Sequence, residues 1–139
     1  MIKPKVLFLC TGNTCRTQMA EAFLRDLAGD RFDITSAGAE AGTLDPETVD
    51  AMREVGIDMS THLPKKVDHF LGRRFSYVIS LCDRERESSC PIFPGAIWRL
   101  AWTVDNPADA SWPVERREAI RRVRDQIRQK VVQFVSEHQ

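Results

Sequence analysis

The chain has 139 residues, 20 of them basic and 20 acidic, so its formal net charge at pH 7 is zero. This balance argues against a protein that binds nucleic acid or a membrane surface, and the length suits one domain, residues 1–139, with its own core. The apolar run from Val6 to Cys10 is too short for a secretory signal, and no stretch can span a membrane. We therefore predict a cytoplasmic protein whose four cysteines are free, catalytic or metal-bound rather than joined in structural disulfides.

The first half of the chain alternates strand and helix patterns. The run KVLFL at residues 5–9 is continuously apolar, which predicts a strand buried on both faces of a parallel sheet. A helix is predicted from Thr17 to a stop at Gly29, and apolar residues lie at helical spacing on its expected buried face. These residues are Met19, Ala22, Phe23 and Leu27.

A second strand is predicted over residues 32–38, followed by a helix with Asp45 as its N-cap and Pro46 at its first position, running to Gly56. Residues 75–82 and 96–102 predict two further strands. The last helix is predicted over residues 114–137, with one apolar stripe formed by Ile120, Val123, Ile127, Val131 and Phe134. The alternation predicts a single α/β domain with a parallel sheet.

Reactive residues follow three of the predicted strands. Cys10 ends the first strand, Cys82 ends the third, and Asp105 comes shortly after the fourth. The functional crevice of such a sheet lies at the carboxyl ends of its strands. We therefore expect these three residues to converge at one edge.

The loop after the first strand has the composition of an oxyanion site. Gly12 and Asn13 tolerate left-handed backbone, so the loop can point successive N–H groups at one centre, next to a helix N-terminus and the Arg16 guanidinium. This positive potential favours the thiolate of Cys10, to which the Thr17 hydroxyl could donate. The predicted oxyanion-binding residues are Thr11, Gly12, Asn13, Thr14, Cys15, Arg16 and Thr17.

The alternative is that the two cysteines of this loop only pack, since a free cysteine behaves as a small buried residue. For Cys10 the strand before the loop and the helix after it favour the catalytic interpretation. For Cys15, inside the loop, packing is the favoured role.

The stretch FLCTGNTCRTQMAEAF resembles the phosphate loop of the low-molecular-weight protein tyrosine phosphatase family, and is most similar to its thioredoxin-coupled arsenate reductase branch. Similar segments occur at 36–38, 51–60, 78–82, 90–95 and 121–131. The resemblance implies a four-stranded parallel sheet flanked by helices, with Cys10 as nucleophile and Arg16 as oxyanion clamp. It also allows a protective disulfide between Cys10 and Cys15. Together with the size of the chain, it implies a monomer.

Two positions favour the reductase branch. The phosphatases usually carry proline where this chain has Gln18, and they place aromatic residues after the proline that corresponds to Pro107, where this chain has none. A phosphotyrosine ring would lack its stacking partner there.

Cys82 and Cys90 enclose a segment without apolar residues, which cannot bury itself and should move. We predict a relay in which Cys10 attacks arsenate, Cys82 displaces arsenite, and Cys90 carries the disulfide to thioredoxin or a similar reductant. The alternative is that Cys82 is a buried residue at a strand end and Cys90 is incidental.

The family's general acid is an aspartate directly before proline, but Asn106 holds that position and Asp105 lies one residue earlier. An amide cannot donate the proton, so the acid would have to be Asp105. One alternative function is a phosphatase that hydrolyses phosphomonoesters through a phosphocysteine on Cys10 and uses Asp105 in this way. A further alternative, a non-catalytic module that binds an oxyanion or zinc, is disfavoured because the nucleophile Cys10 and the clamp Arg16 are both present.

Some reductases of this branch bind potassium with residues that match Asn13, Glu21 and Ser36, together with a further acid. Here Lys65 could occupy that region. We predict no tightly bound cofactor and commit to no metal, so a monovalent cation in this region stays open.

Overall fold

The computed structural model describes residues 3–10, 15–81, 93–104 and 113–138. Strands and helices alternate in the predicted order, and a short 3-10 turn not predicted from the sequence precedes the third strand. The elements are β1 (Lys5–Cys10), α1 (Arg16–Ala28), β2 (Asp33–Gly38), α2 (Pro46–Arg53), the 3-10 turn (Val67–Phe70), β3 (Phe75–Ser80), β4 (Ala96–Ala101) and α3 (Pro113–Glu137). Within the described ranges, no helix combines the length and apolarity needed to cross a bilayer.

The four strands form one parallel sheet in the order β2-β1-β3-β4, which confirms the predicted fold class. Strand β1 pairs with β2 over its whole length, ending with Cys10 opposite Gly38. On its other side it pairs with β3 over residues 6–9. The chain moves outward from β1 to β2 and then crosses to β3, so the boundary between β1 and β3 is the point where strand order reverses. Ligands of open α/β sheets bind at such points.

Strand β3 is shorter than predicted. It ends at Ser80, the last residue that pairs with β4, whereas the sequence pattern predicted a strand to Cys82. The amide of Leu81 still donates to the carbonyl of Leu9 at 2.9 Å. The ladder between β3 and β4 ends at Ser80 because β4 itself ends opposite this residue. The hydrophobic pattern of β3 does not contain the length of β4, so it could not predict this end. Cys82 itself lies outside the described residues.

Helices α1 and α3 cover one face of the sheet, against Phe8 and Ile79. The predicted stripe of α3 is confirmed, since none of its members is more than 3% exposed: Ile120, Val123, Ile127, Val131 and Phe134. The prediction for Leu27 is wrong, because 44% of this residue is exposed. The other three predicted positions, Met19, Ala22 and Phe23, are buried, and the buried face also includes Leu24 and Ala28.

The other face of the sheet is covered by the 3-10 turn and by Phe93, which pack on Leu7 and Leu9 of β1. Residues 6–9 of β1 are at most 1% exposed, as expected for a strand with both faces covered. Asp45 caps α2 as predicted, accepting a hydrogen bond from the amide of Glu47 at 3.1 Å. The helix ends at Arg53, and a turn follows to Gly56, which adopts a φ of 82°.

Candidate active site

Cys10 ends β1 at the carboxyl edge of the sheet, as predicted, and is 6% exposed. Its carbonyl accepts a hydrogen bond from the amide of Ala39 at 3.1 Å, just past the end of β2. Together with the pairing of Cys10 and Gly38, this bond fixes the backbone of the cysteine to the neighbouring strand. The thiol is therefore carried by a rigid element.

The first turn of α1 returns to this cysteine. The Thr17 hydroxyl lies 3.3 Å from the Cys10 sulfur, and Thr17 is completely buried. A neutral hydroxyl at this distance can donate a hydrogen bond to a thiolate and so stabilise its negative charge. The predicted contact between Thr17 and Cys10 is confirmed.

The start of α1 has the electrostatics of an anion site. Cys15 is its N-cap, and in the described part of the chain the helix start has no side-chain capping bond. The first turn, residues 16–19, contains no acidic residue and begins with Arg16. No acidic side chain in the first turn therefore offsets the positive end of the helix dipole, and the charge of Arg16 adds to this positive potential. The predicted loop residues Thr11, Gly12, Asn13 and Thr14 lie outside the described residues.

Cys15 is built into the packing between α1 and α2. The buried Thr48 hydroxyl donates to its sulfur at 3.1 Å, and the residue packs against the larger core. Burial raises the pKa of the Cys15 thiol to about 11, against the opposing effect of the Thr48 hydrogen bond. This thiol is protonated at neutral pH, which supports the predicted packing role.

Cys15 is therefore expected to resist alkylation. At pH 8 its labelling by iodoacetamide should be roughly 100-fold slower in the folded protein than in urea, because only about one thiol in 1,000 is ionised at a pKa of about 11. Mass spectrometry with fragmentation separates Cys15 from Cys10. Thr48→Val should slow the reaction further, since it removes the hydroxyl that stabilises the thiolate, whereas Thr103→Val at an exposed threonine should not. Equal rates in the folded and unfolded protein would contradict this assignment.

A buried polar cluster lies on the same helix, behind the first turn. Gln18 is fully buried and Glu21 is 3% exposed. His62 Nδ1 lies 3.1 Å from Gln18 Oε1 and 3.3 Å from Glu21 Oε2. Burial lowers the pKa of His62, and the negative charge of Glu21 opposes that effect. The sequence did not reveal this contact, because 44 residues separate Gln18 from His62.

The region of the potassium site implied by the resemblance holds a lysine. Lys65 Nζ lies 3.4 Å from Glu21 Oε1, and the Ser36 hydroxyl donates to the same oxygen at 3.0 Å. An ammonium group thus supplies positive charge where a cation would bind, so these residues do not fit a potassium site. Among the described residues, no group of three or more histidine, cysteine or acidic side chains is placed to hold a metal.

The remaining predicted site residues, Cys82, Cys90 and Asp105, lie outside the described residues. The described residues end at Leu81, directly before Cys82, and again at Val104, directly before Asp105. The amide of Leu81 donates to the carbonyl of Leu9, in the strand that carries Cys10. The structure thus brings together Cys10 and Thr17 beside the start of α1. The relay cysteines and the general acid stay predictions.

The sequence model of the low molecular weight phosphotyrosine protein phosphatase family matches residues 5–139. The chain belongs to this family. Within the low molecular weight phosphatase family, a similar relative is arsenate reductase 2 of Staphylococcus saprophyticus, which is 38% identical over 134 residues. The alignment covers 96% of this chain and 98% of the relative.

Two solved members of the low molecular weight phosphatase fold extend the comparison. An arsenate reductase in a phosphate-binding state superposes with a TM-score of 0.79 at 30% identity, covering 96% of this chain and 98% of that one. A thioredoxin-dependent arsenate reductase of Corynebacterium glutamicum gives a TM-score of 0.71 at 26% identity, covering 99% of this chain and 64% of that one. The reductase branch thus shares the fold over nearly the whole chain.

Proposed function

We propose that this protein reduces arsenate to arsenite. The observation that carries the proposal is the placement of Cys10, whose sulfur lies 3.3 Å from the Thr17 hydroxyl beside the N-terminus of α1. The chain is also similar to arsenate reductases over nearly its whole length. A thiolate nucleophile facing a centre of positive potential suits a tetrahedral oxyanion. That a related arsenate reductase was solved in a phosphate-binding state supports this substrate class.

In the first step the Cys10 thiolate attacks the arsenic atom of arsenate. A sulfur–arsenic bond forms, and one arsenate oxygen leaves as water after it has taken up protons. Arg16 and the helix N-terminus stabilise the negative charge on the remaining oxygens. Arsenic is still in its pentavalent state in this adduct.

In the second step the Cys82 thiolate attacks the Cys10 sulfur. The sulfur–arsenic bond breaks, its electron pair stays on arsenic, and arsenite leaves in the trivalent state. Two thiols have been oxidised to a disulfide between Cys10 and Cys82, which balances the two-electron reduction of arsenic.

In the third step Cys90 attacks Cys82 and releases the Cys10 thiolate. An external dithiol then reduces the disulfide between Cys82 and Cys90, and the similarity to a thioredoxin-dependent reductase favours a thioredoxin. No step requires protonation of an alkoxide or phenolate leaving group. The position of Asp105 one residue before Asn106 should therefore weaken the reductase less than it would weaken a phosphatase.

The proposal is tested by measuring NADPH consumption with thioredoxin and thioredoxin reductase, in parallel with hydrolysis of an aryl phosphate. We expect arsenate-dependent turnover in the native protein and none in Cys82→Ser. Cys90→Ser should release about one arsenite per chain and then stop, because the disulfide between Cys10 and Cys82 cannot be passed on.

The phosphatase alternative predicts a different pattern. Aryl phosphate hydrolysis that exceeds arsenate turnover, and that survives both serine substitutions, would replace the reductase assignment with a phosphatase assignment. Asp105→Asn would then lower the rate, whereas it should leave arsenate reduction within about threefold of native. Absence of arsenate turnover in the native protein would also refute the proposal.

A further inference from the structure

The segment of residues 62–66 lies along the end of β2, beside the candidate site. The amide of Gly38 donates to the carbonyl of Lys65 at 2.9 Å, and Gly38 forms a parallel bridge with Lys66. Because Gly38 pairs with Cys10 on its other side, the segment, the end of β2 and the nucleophile lie in one row. Leu63 is 73% exposed, so this part of the segment is not held by burial of its apolar side chain.

Gln18 connects this segment to the first turn of α1. Its amide nitrogen donates to the carbonyl of Leu63 at 3.2 Å, and its amide oxygen lies 3.1 Å from His62 Nδ1. A fully buried amide is costly unless both of its ends are hydrogen-bonded, and here both are. Gln18 therefore holds the segment at two points, and it stands two residues after Arg16 and next to Thr17.

Glu21 reinforces the connection one turn later on the same helix face. Three cationic or titratable groups face its buried carboxylate: His62 at 3.3 Å, Lys65 at 3.4 Å and Arg25 at 3.6 Å. Two of them belong to residues 62–66. Because His62 Nδ1 faces two acceptors, on Gln18 and Glu21, this nitrogen carries the hydrogen.

We propose that Gln18 is a positioning residue for the Cys10 site, acting through His62 and Leu63. The first turn of α1 has no side-chain cap at Cys15 among the described residues, and helix ends without caps fray. The bonds from Gln18 to the segment anchor this turn in a different way, through a side chain of the turn itself. They hold the first turn in the rotation that puts the Thr17 hydroxyl 3.3 Å from the Cys10 sulfur.

The test uses three variants. Gln18→Met keeps the length of the side chain and removes both hydrogen bonds. His62→Leu removes the donor to Gln18, whereas His62→Asn keeps an amide donor close to the position of Nδ1. Gln133→Met is the matched control, because Gln133 is exposed on α3 and bonds only to the nearby Glu137 among the contacts described.

The main readout is the pH midpoint of Cys10 alkylation by iodoacetamide, measured by mass spectrometry at a temperature where each variant is folded by circular dichroism. Gln18→Met and His62→Leu should raise this midpoint by about half a unit or more, because a misplaced Thr17 hydroxyl stabilises the thiolate less. They should also lower kcat for arsenate by about tenfold. His62→Asn should stay within about threefold of native, and Gln133→Met should match native.

A purely structural role for Gln18 would give a different result. If Gln18→Met and His62→Leu lower the melting temperature but leave the alkylation midpoint and kcat unchanged, the proposal is overturned. The same holds if His62→Asn is as impaired as His62→Leu. Should Gln18→Met fail to fold, the two His62 variants decide. Only the kcat measurement rests on the proposed function, so the alkylation measurement stays decisive even if arsenate is not the substrate.

Discussion

Replacing Cys10 with serine is expected to lower kcat/KM for arsenate by about 10⁴-fold or more, to the background of the assay. A serine hydroxyl is not ionised near neutral pH, and it cannot form the disulfide that supplies electrons to arsenic. The substitution removes little volume at a site held by the β1 ladder. The fold should therefore be retained.

Phosphate binding serves as the control for Cys10→Ser. We expect the variant to bind inorganic phosphate within about threefold of the native affinity by calorimetry, because Arg16 and the start of α1 are unchanged. Loss of turnover with retained binding would separate nucleophilic attack from oxyanion binding. Arsenate turnover above about 1% of native in Cys10→Ser would exclude Cys10 as the nucleophile.

Replacing Arg16 is expected to produce the second largest loss. Arg16→Ala should lower kcat/KM for arsenate by about 10²- to 10³-fold, since it removes a charged donor from the developing negative charge. Arg16→Lys should recover only part of this loss, because an ammonium group keeps the charge but not the planar pair of N–H donors that matches two oxyanion oxygens.

Arg53→Ala is the matched control for Arg16. Arg53 lies at the end of α2, is 66% exposed and pairs only with the exposed Asp50 among its described ion pairs. Its loss should leave kcat/KM within about twofold of native. If Arg16→Ala were as active as Arg53→Ala, the clamp assigned to Arg16 would have to be abandoned.

The sequence predicted most of the fold because its signals are local. The apolar run of β1 and the proline at the first position of α2 each determine an element without reference to distant residues. The contact of Thr17 with Cys10 was also predictable, since the short loop between β1 and α1 places the first turn of the helix beside the end of the strand. Two of the errors are of another kind. In the last turn of α1 the buried residue is Ala28 rather than Leu27, and the end of β3 at Ser80 depends on the length of β4.

The contacts of Gln18 could not be predicted, because they join α1 to a segment more than 40 residues away. In the sequence, Gln18 is distinguished only by its position, where the phosphatases of the family usually carry proline. In the sequence His62 is isolated and has no metal-ligand spacing to a cysteine, so nothing local indicates its partner. A buried amide and an imidazole reveal their relation only when the fold has placed them side by side.

Pairing on both sides of β1 restricts movement of the backbone that carries the nucleophile. To displace the backbone near Cys10, the chain must break the ladder with β2 and the ladder with β3, and strands of this kind open only with the whole domain. The amide protons of β1 should then be among the last to exchange with solvent. The reactive sulfur is thus attached to a strand whose local fluctuations should be small, so movement of the Cys10 backbone should contribute little to any step in which its sulfur reacts.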